Sequence, residues 1–146
     1  MLRAVGVLLV VDDISGTPGS HAIEQFWHLG IDPVPVGKLA WRIGARTVFA
    51  IPPGSDVELE KGWRSPVFGV KEEAPVLRVR RQCEFPVRLA AAIDFLGGDQ
   101  PASLKFDGEL VFESARVRVV ADLEGPKYSI EEKPFKVPGD ALPRIS

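Results

Sequence analysis

A chain of 146 residues with 45% hydrophobic and 26% charged residues has globular composition, which excludes a wholly disordered or collagen-like molecule. Its length suffices to bury roughly two-thirds of the unfolded surface without a disulfide or structural metal. The net charge of −2 excludes the large basic excess of a protein that wraps long nucleic acid, leaving only a local basic patch for such contact.

The run 2–11, LRAVGVLLVV, is apolar without alternation and predicts a strand buried on both faces. Asp12–Ser20 is rich in turn residues. A short helix is expected over Ser20–Leu29, capped by Ser20 or by Thr17 with Pro18 at the first helical position, with Ile23, Phe26 and Trp27 as its apolar stripe and Gly30 as its stop. Asp32–Val36 must be extended around Pro33 and Pro35, and Gly37–Ile43 is expected to form a helical turn. Arg46–Ile51 reads as a strand ended by Pro52-Pro53-Gly54. Val57–Glu60 reads as a short edge strand, and Val67–Lys71 and Val76–Cys83 as two strands around Glu72–Pro75. Pro86–Leu96, with Leu89, Ile93 and Leu96 on one side, is the second expected helix, stopped by Gly97-Gly98.

The last third predicts an antiparallel sheet from Ser103–Phe106, Gly108–Phe112, Arg116–Leu123 and Tyr128–Phe135, spaced as turns require. The expected fold class is therefore α+β: a mainly antiparallel, twisted sheet or partial barrel with one or two short helices. Residues 1–137 are read as a single α+β domain and 138–146 as an extended or disordered tail. No repeat or low-complexity segment occurs.

One cysteine, Cys83, cannot form an internal disulfide, so a reducing, cytoplasmic setting is expected. No apolar run reaches the length of a membrane span, and Val5–Val11 is too short for the core of a secretory signal. The absence of Asn and the excess of Arg over Lys fit a thermophilic source or a GC-rich genome.

Four groups of residues are candidates for chemistry. Asp12 and Asp13 stand at the end of a buried strand before a glycine turn, where α/β enzymes place nucleophiles or metal ligands. Asp13-Ile14-Ser15-Gly16-Thr17 resembles the first motif of haloacid-dehalogenase-type phosphatases, D-x-D-G-T. That resemblance implies Asp13 as nucleophile, but Ser15 stands where the second aspartate is expected, and the family's later lysine and acidic motifs have no match. The plain alternative is that both aspartates serve the turn.

His21, Glu24 and His28 would share one stripe of the expected helix and form a metal set; a solvated helix face explains them as well. Arg78 with Arg80, and Arg116 with Arg118, each share one face of an expected strand. Were those strands neighbours, four guanidinium groups would converge on phosphate or an acidic partner; cross-strand pairing with glutamates is the alternative. Trp41 and Trp63, each beside an arginine, could stack bases or belong to a core or subunit contact. Nucleotide-binding loops, a nucleophile elbow and paired-cysteine motifs are absent from the sequence.

With no complete catalytic constellation, the leading expectation is a non-enzymatic binding or assembly domain acting through protein partners or self-association, without cofactor and without membrane contact. A nucleic-acid-binding small barrel using the arginine face is the second expectation. A metal- or phosphate-processing enzyme using Asp13 with His21 and His28 is the third.

Overall fold

Alternation of side chains, not helical spacing, organises this chain. The computed structural model describes residues 2–4, 6–125 and 127–134, and their regular structure is entirely β. In chain order the strands are β1 (Leu2–Ala4), β2 (Val7–Ile14), β3 (Ser20–His28), β4 (Val34–Gly37), β5 (Ala40–Ile43), β6 (Thr47–Ala50) and β7 (Asp56–Arg64). They continue with β8 (Glu72–Glu84), β9 (Val87–Asp94), β10 (Ala102–Asp107), β11 (Glu109–Ser114), β12 (Val117–Asp122) and β13 (Tyr128–Glu132). They form three antiparallel sheets: a six-stranded sheet in the order β1-β2-β9-β6-β5-β4, a four-stranded meander β10-β11-β12-β13, and a three-stranded sheet β3-β8-β7.

The α+β expectation is therefore corrected: among the described residues there is no helix. Ser20–Leu29 is strand β3, on which His21, Ile23, Gln25 and Trp27 are half-buried while Ser20, Ala22, Glu24, Phe26 and His28 are exposed. That period of two is a strand with one covered face. The helical reading of Ile23, Phe26 and Trp27 failed because Phe26 points to solvent, 52% exposed.

Pro86–Leu96 is corrected in the same way, since its centre is strand β9. Ala90, Ala91 and Ala92 favour a helix intrinsically, but here both faces of the strand are covered, and tertiary packing overrides propensity. The expected helical turn over Gly37–Ile43 is instead the end of β4, a tight turn at Lys38 and Leu39, and the whole of strand β5. Asp12 and Asp13 lie within β2, not beyond it. The boundary at residue 137 and the tail 138–146 fall outside the described residues.

The six-stranded sheet is the middle layer. One of its faces presents Val7, Leu9, Ala40, Val48, Ala50, Ala90 and Ala92, which pack against Leu104, Leu110, Phe112, Val117 and Val119 of the meander. The other presents Phe49, Ile51 and Ala91 to Leu77 and Val79 of the three-stranded sheet, with Leu29, Trp27 and Trp41 at the margin. A sheet buried on both sides needs near-continuous apolar strands, and the runs VLLVV and LAAAI supply them.

A buried charged pair crosses the first interface. Asp94 is fully buried (0% exposed) and shares a sheet face with Val7 and Val48. Its Oδ1 accepts from Arg116 Nη2 at 2.6 Å and from the backbone N–H of Leu96 at 2.9 Å. Arg116 sits in the turn between β11 and β12, with 18% of its side chain exposed. The pair thus ties the meander to the end of β9. Gly97 is required beside it: a Cβ there would lie 2.7 Å from Val48 Cγ2 and 3.3 Å from Asp94 Oδ2.

Candidate interaction surface

The three-stranded sheet is built on β8, whose thirteen residues pair with β3 on one side and β7 on the other. On its outer face Glu24 of β3 lies opposite Arg80, and Asp56 and Glu58 of β7 lie opposite Arg80 and Arg78. Arg78 donates to Glu24 at 2.5 Å and to Glu60 at 2.8 Å, with Glu58 at 3.7 Å. Arg80 donates to the same Glu24 oxygen at 2.9 Å. Hydrogen bonds from Arg78 first, then Arg80, hold the Glu24 carboxyl below its usual 4.5. The reciprocal bonds from Glu24 and Glu60 raise the pKa of Arg78, which stays charged.

This face is a paired charge network, not a bare basic patch, although Arg78 Nε is buried without a partner. Its two guanidinium groups are outnumbered by the four carboxylates of Glu24, Asp56, Glu58 and Glu60.

The four arginines do not converge. Arg78 and Arg80 are on one outer sheet, whereas Arg118 is on the meander across the middle layer, paired in register with Glu113 and Glu131. Arg116 turns inward to Asp94. β8 and β12 belong to different sheets, and spacing along the chain cannot reveal that.

The residues His21, Glu24 and His28 also separate. On a strand His21 faces inward, stacked on Phe85 with ring centroids 4.0 Å apart and bonded to the Thr17 carbonyl at 2.8 Å. Glu24 and His28 face outward, and Glu24 is occupied by arginine. Among the described residues no three His, Cys, Asp or Glu side chains group as a metal-binding set. Asp13 pairs with Arg88 across the β2–β9 ladder, and Asp12 accepts from Gln25 at 3.2 Å. Trp41 is half-buried against Phe49, its ring centroid 6.4 Å away. Cys83 is a free, half-buried thiol opposite His21.

What the molecule exposes is a hairpin. β7 and β8 pair from Asp56↔Arg80 to Arg64↔Glu72. On the inner face of β7, Val57 packs against the core, but Leu59 and Trp63 are 55% and 54% exposed. Leu59 lies level with the buried Leu77 of β8 but on the free edge, and Trp63 lies further along the hairpin, so edge and tip overhang the middle layer. Trp63 carries Lys71 over its ring, 4.3 Å from the centroid.

Beyond it the connecting segment 65–71 leaves Val67 and Val70 exposed and Phe68 wholly exposed. Ser65 Oγ donates to the Val67 carbonyl at 2.8 Å, and Val70 N–H to the same carbonyl at 3.1 Å, so the turn is closed by its own hydrogen bonds. Gly69, at φ 78°, supplies the left-handed residue the turn needs. Val67–Lys71 is thus a turn, not the expected strand.

Beside Leu59 the hairpin's inner face and residues 30–32 enclose an open cleft of about 610 Å³, lined by Ile31, Leu59 and Pro75 with Asp32, Lys61 and Glu73 at its polar positions. Of these surface residues only Trp63 was singled out by sequence reasoning. The signal for the rest was present in Ser65-Pro66-Val67-Phe68-Gly69-Val70, an apolar triplet between turn residues and flanked by charge. Apolar residues in a turn have no core to enter.

No family model, curated protein or solved structure matches this chain. Among the described residues no helix is long and apolar enough to cross a membrane.

Proposed function

We propose that this chain is a non-enzymatic assembly or binding domain that works through protein–protein contact, made by the β7–β8 hairpin. The observation that carries this reading is the overhang. Leu59, Trp63, Val67, Phe68 and Val70 are exposed on one projecting element, while the remaining large apolar side chains are mostly spent on the two interlayer cores. A projecting run of exposed aliphatic and aromatic side chains costs solubility and marks a contact surface. Aromatic anchors of this kind dominate binding energy in protein interfaces. Of the candidate nucleophiles and ligands read from the sequence, Asp12, Asp13, His21 and Glu24 are each engaged separately in an ion pair, stack or hydrogen bond, and His28 faces outward at the end of β3. The arginine face offers little to phosphate, because its carboxylates already take the guanidinium donors.

A photoreactive residue placed at Phe68 of the full chain, expressed in cells, tests this. An adduct of one discrete protein mass is expected from position 68, with none from the exposed control position Lys105 on the opposite outer sheet. The absence of any protein adduct at position 68 would contradict the reading.

A further inference from the structure

Resting on that reading, we infer that the partner is a second copy of this chain, joined edge to edge through β7 in an antiparallel pair about a two-fold axis at Lys61. No described strand occupies the outer edge of β7. Long free edges invite pairing, and proteins blunt them by shortness, proline, a bulge or charged side chains; β7 carries only the last, its inward-facing Lys61 lying 3.7 Å from Glu73. The edges at β1 and β4 are three and four residues long, and β4 also contains Pro35 and a register shift. β7 has nine residues and no proline. The equally long edge β3 differs in sending Trp27 inward to the core and His21 onto Phe85. The meander edges β10 and β13 are shorter, at six and five residues. Of the two nine-residue edges, only β7 leaves large inward-facing apolar side chains, Leu59 and Trp63, uncovered.

The β7 sequence DVELEKGWR is also self-complementary when reversed: its first half carries Asp56, Glu58 and Glu60, and its second half Lys61 and Arg64. Antiparallel self-pairing therefore sets the acidic half of one copy against the basic half of the other, as an isologous contact requires. With the axis at Lys61, Glu58 faces Arg64 of the second copy on the outer side, and Glu60 faces Gly62. On the inner side Leu59 faces Trp63, twice, bringing together the two exposed apolar side chains of the strand. Each Trp63 then stands over the cleft beside the partner's Leu59 and Pro75. The one repulsive juxtaposition is Lys61 with its own copy, and each ammonium lies 3.7 Å from Glu73 of its own chain. Moving the axis to Glu60 would oppose two carboxylates and set Lys61 against Leu59. The paired sheet would be six-stranded, β3-β8-β7 continued by its symmetry mate.

The test uses the full chain with Cys83→Ser as background, so that any disulfide formed must link two molecules. Under mild oxidation Lys61→Cys should give a covalent dimer rapidly, while Lys105→Cys stays monomeric. Light scattering of the unmodified chain should give a dimer mass. Trp63→Glu, with its circular dichroism unchanged, should raise the dimer dissociation constant by about tenfold or more. A monomeric wild type, or a residue-61 cysteine that links no faster than the one at 105, would overturn the pairing. If that monomer still forms an adduct with a different protein from position 68, protein contact through the hairpin survives without self-pairing. If it forms none, both fail.

Discussion

The two outer sheets cover opposite faces of the same middle sheet and do so differently. The meander β10–β13 fits its face: Leu104, Leu110, Phe112, Val117 and Val119 are all buried, and its connecting turn supplies Arg116 to the buried Asp94. The three-stranded sheet extends past the face it covers. Leu77 and Val79 at the centre of β8 are core, while Leu59, level with Leu77 but on the free edge, and Trp63 and Phe68, further along the hairpin, are exposed. One sheet spends its apolar side chains on folding, and the other keeps a surplus. Residues of the same chemistry should therefore have opposite phenotypes in the two regions.

The largest effect is expected at the meander interface. Phe112→Ala should destabilise the fold by about 3–5 kcal/mol, because a fully buried ring leaves a cavity between two sheets that cannot both relax. Chemical denaturation measures it. Arg116→Ala should cost about the same, roughly 3–5 kcal/mol, by leaving the Asp94 carboxylate buried without its cation. Replacing Arg116 and Asp94 together by Met and Leu should recover most of that loss, which separates a charge effect from a packing effect. In the middle layer Ala91→Leu should cost about 1–3 kcal/mol by overpacking a strand covered on both faces.

At the hairpin tip Phe68→Ser should change monomer stability by no more than about 0.5 kcal/mol and should reduce association. A large loss of stability at Phe68 would break the contrast.

The smallest effect concerns pH. Glu24 has a depressed pKa in the fold, with hydrogen bonding from Arg78 the largest cause and Arg80 next. Its contribution is present above the ordinary value of 4.5 and is lost as pH falls through the depressed one. The stability difference between wild type and Glu24→Gln should therefore be widest near neutrality and narrow below pH 4.5, as followed by denaturation across the acid range.

Legibility in the sequence follows the same division. The meander was readable because its strands alternate and are separated by turn residues such as Gly108: β10 to β13 fall within about three residues of their expected limits. β3 was misread because two of its inward positions are polar, His21 and Gln25, so the alternation was hidden behind an accidental helical spacing of Ile23, Phe26 and Trp27. β9 was misread because a strand squeezed between two layers needs small side chains, and consecutive alanines resemble a helix when the layers are unknown.

From the sequence β8 starts only at Val76, with Glu72–Pro75 as a connection, yet proline fits inside the strand because its carbonyl accepts from the Leu29 N–H at 2.9 Å. Gly62 was unremarkable in the sequence. In the fold a Cβ at that position would come within 2.5 Å of Val76 Cγ2, so the glycine leaves room for Val76 on the outer face. The candidate arginines and histidines were visible as residue types. Their separation depended on which sheet each strand joined, a property of long-range pairing that spacing does not encode.

Hydrogen exchange at the outward-pointing amides of β7, measured at several protein concentrations, tests the central claim most directly. If this edge is covered by another molecule of the chain, those amides should slow as concentration rises, and Trp63→Glu should return them to fast exchange. Exchange that is rapid and the same at every concentration would contradict the account.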